Sequence, residues 1–114
     1  MVAPSAGTVV LVPFPFSDLS HTKLRPAVVL ADVGRGDRIL CQITSNPYGD
    51  AGAIAITGSS FAAGSLKMDS YARPGKLFTA NKGLMVAEAG ELKRECLKQI
   101  VEAIVSILRT GVTP

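Results

Sequence analysis

Residues 23–30 read Lys23-Leu24-Arg25-Pro26-Ala27-Val28-Val29-Leu30, a cationic loop that runs directly into an apolar strand. Pro26 fixes its own φ and disfavours the helical region for Arg25, so the guanidinium is presented from an extended hinge. Ala27 to Leu30 is apolar on both parities, the pattern of a strand buried on both faces. An arginine held at the mouth of such a strand invites an anionic ligand. It also suits a plainer role, marking the polar end of the strand.

Upstream, Thr8-Val9-Val10-Leu11-Val12 is a β-branched strand whose alternation continues as Val10, Val12, Phe14 and Phe16 through Pro13 and Pro15. Two prolines cannot sit in a central ladder, so the end of this strand is expected at an edge or a bulge. Ser17 to Lys23 is a polar loop carrying His21, the single histidine. Downstream, strand two runs Ala27 to Val33, and Gly34-Arg35-Gly36-Asp37 reads as a hairpin turn. Strand three, Arg38 to Thr44, places Ile39, Cys41 and Ile43 on one face and Leu40, Gln42 and Thr44 on the other.

Ser45-Asn46-Pro47-Tyr48-Gly49-Asp50 is a second polar loop, broken by Asn-Pro. Ala53 to Ile56 is a short apolar strand, Thr57 to Ser60 turns the chain, and Phe61 to Gly64 forms an irregular apolar patch. Leu66-Lys67-Met68-Asp69 alternates, which puts Lys67 and Asp69 together on the exposed side of a strand. Tyr71 to Gly75 reads as a turn and Lys76 to Thr79 as a short strand. From Glu91 the period changes: Leu97, Ile100, Val101, Ile104 and Leu108 fall at helical spacing, with Leu92 and Cys96 extending the stripe. Glu91 and Glu95 near the start, Arg109 near the end and Gly111 beyond it bound a helix over 91–109. Five or six short strands with one terminal helix suggest a mainly β fold, a small, strongly bent antiparallel sheet or barrel.

At 114 residues the chain is expected to be one domain, 1–114, with a tail over 1–6. Apolar residues make up 47% and charged residues 18%, a balance that favours a covered surface and hence a homo-oligomer, most simply a two-fold dimer. No run reaches the roughly 18 to 20 apolar residues of a membrane span, and residues 1–7 lack the pattern of a signal peptide, so no membrane association and a cytoplasmic location are expected. Cys41 and Cys96 lie far apart without metal-ligand neighbours, and one histidine cannot complete a zinc set, so both read as small core residues and no metal is expected. The net charge of +3 is modest, but its placement is not even. Lys67, Arg73, Lys76 and Lys82 stand against Asp69 alone, and with Lys23 and Arg25 they form a patch for a polyanion wherever the fold joins the two segments.

There is no P-loop, no G-x-G-x-x-G, no G-x-S-x-G and no second histidine for acid/base pairing. The polar groups offered at strand ends are Arg25, Thr44, Ser45, Lys67 and Asp69. Such a set suits phosphate chemistry, in which oriented hydrogen bonds and cations stabilise the charge that builds in the transition state.

Gly7-x-Val-x-Leu-Val-Pro-Phe-Pro-Phe16, then Lys23-x-Arg25-Pro26-Ala-Val-Val-Leu30, then Gln42-Ile43-Thr44-Ser45, then Lys76-Leu77-Phe78-Thr79 together resemble the MazF/PemK family of bacterial toxin endoribonucleases. The resemblance implies a small SH3-like barrel of the CcdB/PemK-like type with a C-terminal helix, a homodimer, and cleavage of single-stranded RNA without a metal or other cofactor. It also implies a cognate antitoxin whose extended acidic tail occupies the RNA groove. By the same resemblance Arg25 and Thr44 correspond to the catalytic pair, and Lys67-Met68-Asp69 is similar to the basic-x-Asp pair of some PemK-type members. Lys23, Ser45, Lys67, Asp69, His21 and Lys76 complete the expected RNA-binding set. Where many members carry Gly-His-Glu-Gln, this chain has Leu19-Ser20-His21-Thr22-Lys23, which implies an altered base preference.

The chemistry sorts these residues by role. Attack of a 2′-hydroxyl on the adjacent phosphate leaves a 2′,3′-cyclic phosphate and a 5′-hydroxyl, and needs a proton acceptor, a proton donor and positive charge on the phosphorane. Arg25 suits the last task as a bidentate clamp, since a guanidinium does not give up its proton. Thr44 can donate a hydroxyl hydrogen bond, and Asp69 or His21 is the candidate base. The competing readings are a non-catalytic barrel that binds a protein partner, as gyrase poisons of similar fold do, and a degenerate antitoxin-binding member. In those, Arg25 pairs a carboxylate such as Asp18 and Thr44 caps a loop.

Overall fold

A computed structural model describes residues 4–15 and 22–113. Seven strands are found among them, β1 Thr8–Pro15, β2 Thr22–Gly34, β3 Asp37–Thr44, β4 Ile54–Ile56, β5 Phe61–Gly64, β6 Ser70–Asn81 and β7 Ala87–Leu92, followed by one helix, α1 Arg94–Thr110. They form a single sheet in the order β4-β6-β3-β2-β1-β7-β5, in which every pairing is antiparallel. The sheet curls into a half-barrel with the helix on one side.

Successive residues of the central strands serve two separate cores, because side chains alternate across a strand. Val9, Val28, Cys41 and Ile43 join Ile56, Phe61, Leu92 and the helix residues Cys96, Ile100 and Ile104 in one cluster. Val10, Val12, Ala27, Val29 and Leu40 join Ala80 and Met85 in the other. The two-sided burial expected of Ala27–Leu30 is therefore found, and both cysteines are core residues.

Bulges supply the bending. Between Cys41↔Leu77 and Ile43↔Ala72 the β3–β6 register breaks, so residues 73–76 stand against Gln42 alone. The segment read from sequence as a turn, Tyr71 to Gly75, is instead a bulge within one long strand, where Pro74 has no N–H to lose from a ladder. Pro13 and Pro15 sit where expected. β1 pairs β7 only from Thr8 to Leu11, and among the described strands none pairs with that side of β1 beyond this point. The Gly34–Asp37 hairpin also forms, with both central residues, Arg35 and Gly36, at positive φ as the twist of a two-residue turn requires.

Three further differences from the sequence pattern are found. Glu91 and Leu92 belong to β7, pairing with Thr8 and Phe61, so the helix starts at Arg94 rather than 91. Its end agrees with expectation, Gly111 adopting the left-handed conformation and donating its N–H to Ile107 O at 2.8 Å. Phe61–Gly64 is a true strand, and Leu66–Asp69 is a bend instead of a strand. At the N-terminus, Arg38 Nε donates to Pro4 O at 3.0 Å and Gly7 N to Val29 O at 2.8 Å, which fastens residues 4–7 to the sheet.

β5 and β7 approach closely at Gly64↔Gly90. A Cβ on Gly90 would press on the Ala63 carbonyl oxygen and the Phe61 ring. We therefore expect Gly90→Ala to cost about 1–3 kcal/mol through overpacking, seen as a lower urea midpoint at unchanged m-value. A wild-type midpoint would mean that the two strands separate at little cost.

Candidate functional site

The site grows out of the end of β2. Ala27 pairs with Gln42, and continuing that antiparallel register by two residues brings Arg25 level with Thr44. On the other side Arg25 pairs with Val12 of β1. Arg25 and Thr44, far apart in sequence, thus come from neighbouring strands at one level of the sheet.

Both line an open cleft of about 500 Å³ together with Lys23, Ser45 and Lys67. Its apolar lining is Leu11, Leu24, Pro26, Ile43, Leu66, Met68 and Ala89, and Ser65 and Ser70 complete it. Among the described residues that line it, three are cations and none is a carboxylate. A cleft with that balance favours an anionic ligand, the low-dielectric walls strengthening the field inside it.

Each polar group is held differently. Arg25 is partly buried next to the rigid Pro26. Thr44 is 5% exposed, and its Oγ1 donates to Asn46 O at 3.0 Å while accepting from Asn46 N at 3.2 Å. Its hydroxyl does cap the following loop, and it does so while lining the cleft. Ser70 is buried and donates to Met68 O at 3.0 Å, closing the bend that carries Lys67.

The remaining expected residues distribute elsewhere. Asp69 is exposed at that bend and does not line the cleft, and Lys76 is exposed in the β6 bulge, also outside it. Lys67 and Asp69 do not share a strand face, since their segment is not a strand. His21 and Asp18 lie outside the described residues. Arg73, grouped by sequence with the polyanion patch, is instead paired with Asp50, Nε to Oδ2 at 2.9 Å. Lys82 sits against Gly36 at the hairpin end of β2, remote from the cleft.

The sequence pattern does not single out Ser65 or Ser70, and it marks the loop after Thr44 only as polar. That loop is tightly organised. Asp50 N donates to Pro47 O at 2.9 Å, Tyr48 N to Asn46 Oδ1 at 2.9 Å, and Gly52 N to Asp50 Oδ1 at 2.9 Å. Tyr48 and Gly49 both have positive φ, 52° and 76°, and the Tyr48 side chain is largely exposed. The Asn-Pro and Gly-Asp dipeptides were the available signal for this turn.

No group of three or more His, Cys, Asp or Glu that would hold a metal ion occurs among the described residues. Burial pushes the Cys41 thiol up to about 12, which keeps it protonated and unfit as a nucleophile. Burial also raises Cys96. No described helix is long and apolar enough to cross a membrane.

A family model described as PemK-like, MazF-like toxin of type II toxin-antitoxin system matches residues 5–108. No sequence among curated proteins matches the chain. Among solved structures it is similar to a chain of the MazE-MazF complex (Form II) of Deinococcus radiodurans, at TM-score 0.77 and 17% identity, over 96% of this chain and 98% of that one. A chain of an endoribonuclease in complex with its cognate antitoxin from a mycobacterial species gives 0.71 and 18%, over 96% of each. The Mycobacterium tuberculosis toxin MazF-mt6 gives 0.69 and 16%, over 90% of this chain and 96% of that one. These likenesses establish the fold: the mainly β, strongly bent antiparallel architecture with a C-terminal helix that the resemblance implies is found, as a curled half-barrel.

The hydrogen bond from Arg73 holds the Asp50 carboxyl below the usual range. An acid depressed on folding contributes stability above its unfolded pKa of about 3.9 and loses it as pH falls through the lower folded value. Asp50→Asn should therefore lower stability at pH 7 by about 1–2 kcal/mol, with the gap to wild type closing below about pH 4. A gap constant with pH in urea titrations would assign the loss to something other than this ion pair.

Proposed function

The chain belongs to the PemK-like, MazF-like toxin family of type II toxin–antitoxin systems, and on that premise we propose that it is an endoribonuclease that cleaves single-stranded RNA, with residues 1–114 as a single catalytic domain. The observation that supports this best is the meeting of Arg25 and Thr44 in one cleft with Lys23 and Lys67. A strand of RNA offers groups that suit that lining. Its phosphates match the cations, and its bases match Leu11, Ile43, Leu66 and Met68.

In the proposed reaction the 2′-oxygen forms a bond to the adjacent phosphorus while the bond to the 5′-oxygen breaks, and no metal takes part. The 2′-hydroxyl proton passes to an acceptor and the leaving oxygen receives one, giving a 2′,3′-cyclic phosphate and a 5′-hydroxyl. Arg25 grips the non-bridging oxygens, where charge accumulates, and supplies no proton. Thr44 donates to the same phosphate by turning its hydroxyl hydrogen away from Asn46 O. Lys23, Lys67 and Ser45 hold neighbouring backbone. Asp69, two residues beyond Lys67, and His21 both remain candidates for the acceptor.

The regulating partner is proposed to be a cognate antitoxin with an acidic extended segment, since a carboxylate-bearing peptide competes for the same cations. The active unit is proposed to be a homodimer. Leu84 and Val86 are 53% and 60% exposed, and Leu24 at the cleft rim 46%, which is apolar surface that a second copy would cover.

Incubating a defined transcript with the protein in EDTA should give discrete cuts ending in cyclic phosphate. Arg25→Ala and Thr44→Ala should each slow cleavage by about 10²–10³-fold, the scale of losing one donor to a developing oxyanion. Intact RNA while growth still arrests would replace this reading with a barrel that acts by binding a protein target.

A further inference from the structure

Tyr48 is out of character twice. Of the aromatic side chains described, Phe61 is buried and Tyr71 and Phe78 are partly buried, whereas Tyr48 is 75% exposed. It also occupies the first central position of the turn Pro47–Asp50, where φ of 52° at Tyr48 and 76° at Gly49 is followed by Asp50 N donating to Pro47 O. Turns with positive φ at both central residues are dominated by Gly, Asn and Asp. A tyrosine there is strained, and its ring gains no burial in return.

The turn is nevertheless fixed. Asn46 Oδ1 accepts from Tyr48 N, and the same Asn46 holds the Thr44 hydroxyl through its backbone N–H and carbonyl. Asp50 is anchored to Arg73 of β6. The ring is thus carried on a rigid arm that starts at the cleft residues Thr44 and Ser45, and three residues of chain keep the Tyr48 Cα within about 11 Å of the Ser45 Cα.

We infer that Tyr48 is a stacking platform for one base of the bound strand, beside the phosphate held at Arg25 and Thr44. This rests on the reading of the cleft as an RNA site and adds to it a residue outside the lining. A flat ring at low conformational cost, exposed on a loop that leaves a cationic groove, is what sequence-tolerant stacking requires. The left-handed backbone turns the ring outward, so the strain has a use in binding that it lacks in folding.

The test uses the full chain and a short RNA whose 2′-hydroxyls are replaced by 2′-methoxy groups to block cleavage, with 2-aminopurine placed at each position in turn. Wild type should bind and quench the fluorophore at one position. Tyr48→Phe should keep both the affinity and the quenching. Tyr48→Gly relieves the backbone, so its urea midpoint should equal or exceed that of wild type, while it loses the quenching and binds about tenfold more weakly.

Quenching and affinity retained in Tyr48→Gly would overturn the proposal. So would a fall in oligomer mass for that variant, which would make the ring a protein contact. Wild-type protein that binds none of these strands, and binds no better than Arg25→Ala, removes the RNA reading itself and the stacking role with it.

Discussion

The fold depends on a sheet whose interior residues are buried on both faces by consecutive side chains of the same strands. Val9 and Val10, Val28 and Val29, and Leu40 and Cys41 each divide between the two clusters. At about 1.5–3 kcal/mol per buried aliphatic side chain, such pairs resist any slip of register, since a one-residue shift would exchange every partner. The helix covers one cluster with Cys96, Ile100 and Ile104. The other is closed by the curl of the sheet and by Met85 and Ala80.

That constraint also positions the proposed site. β2 leaves the doubly buried zone at Pro26, and its next residues, Arg25 and Lys23, line the open cleft. Thr44 is the last residue of β3, two beyond the Ala27↔Gln42 pair, as Arg25 is two before it on β2. Because both strands are locked in register by the cores above, the relative height of the guanidinium and the hydroxyl is set by packing, which is more exact than a loop could provide. The segment bearing Lys67 is held less by packing than by its own bend, closed at Ser70.

The fold was legible wherever pattern followed burial. Two-sided burial at Ala27–Leu30, the edge at Pro13 and Pro15, the Gly34–Asp37 hairpin and the stop of the helix at Gly111 all follow from local chemistry, and all are present. What was not legible depends on long-range partners. Arg73-Pro74-Gly75 has the composition of a turn and becomes a bulge only because β3 supplies a ladder on either side of it. Glu91 and Leu92 fit the helical stripe, yet Thr8 and Phe61 recruit them into the sheet. Arg73 counted as one more cation until the fold set Asp50 against it. Of the proposed site, Arg25 and Thr44 were legible as polar groups at strand ends and as a pair only through the family resemblance, and the rigid turn after Thr44 was readable only as polar sequence.

The state of Thr44 bears on how the proposed chemistry starts. Its hydroxyl gives its hydrogen to Asn46 O and takes one from Asn46 N, so the oxygen is held from one side by a donor that does not depend on where the hydroxyl hydrogen points. When an anionic oxygen enters the cleft, turning that hydrogen toward it exchanges a bond to a neutral carbonyl for a charge-assisted one, which is roughly twice as strong. The Asn46 N–H meanwhile keeps Oγ1 in place. Loop capping and phosphate binding are then two positions of one proton on a fixed oxygen, and the capping bond becomes a form of preorganisation instead of an argument against a role in catalysis.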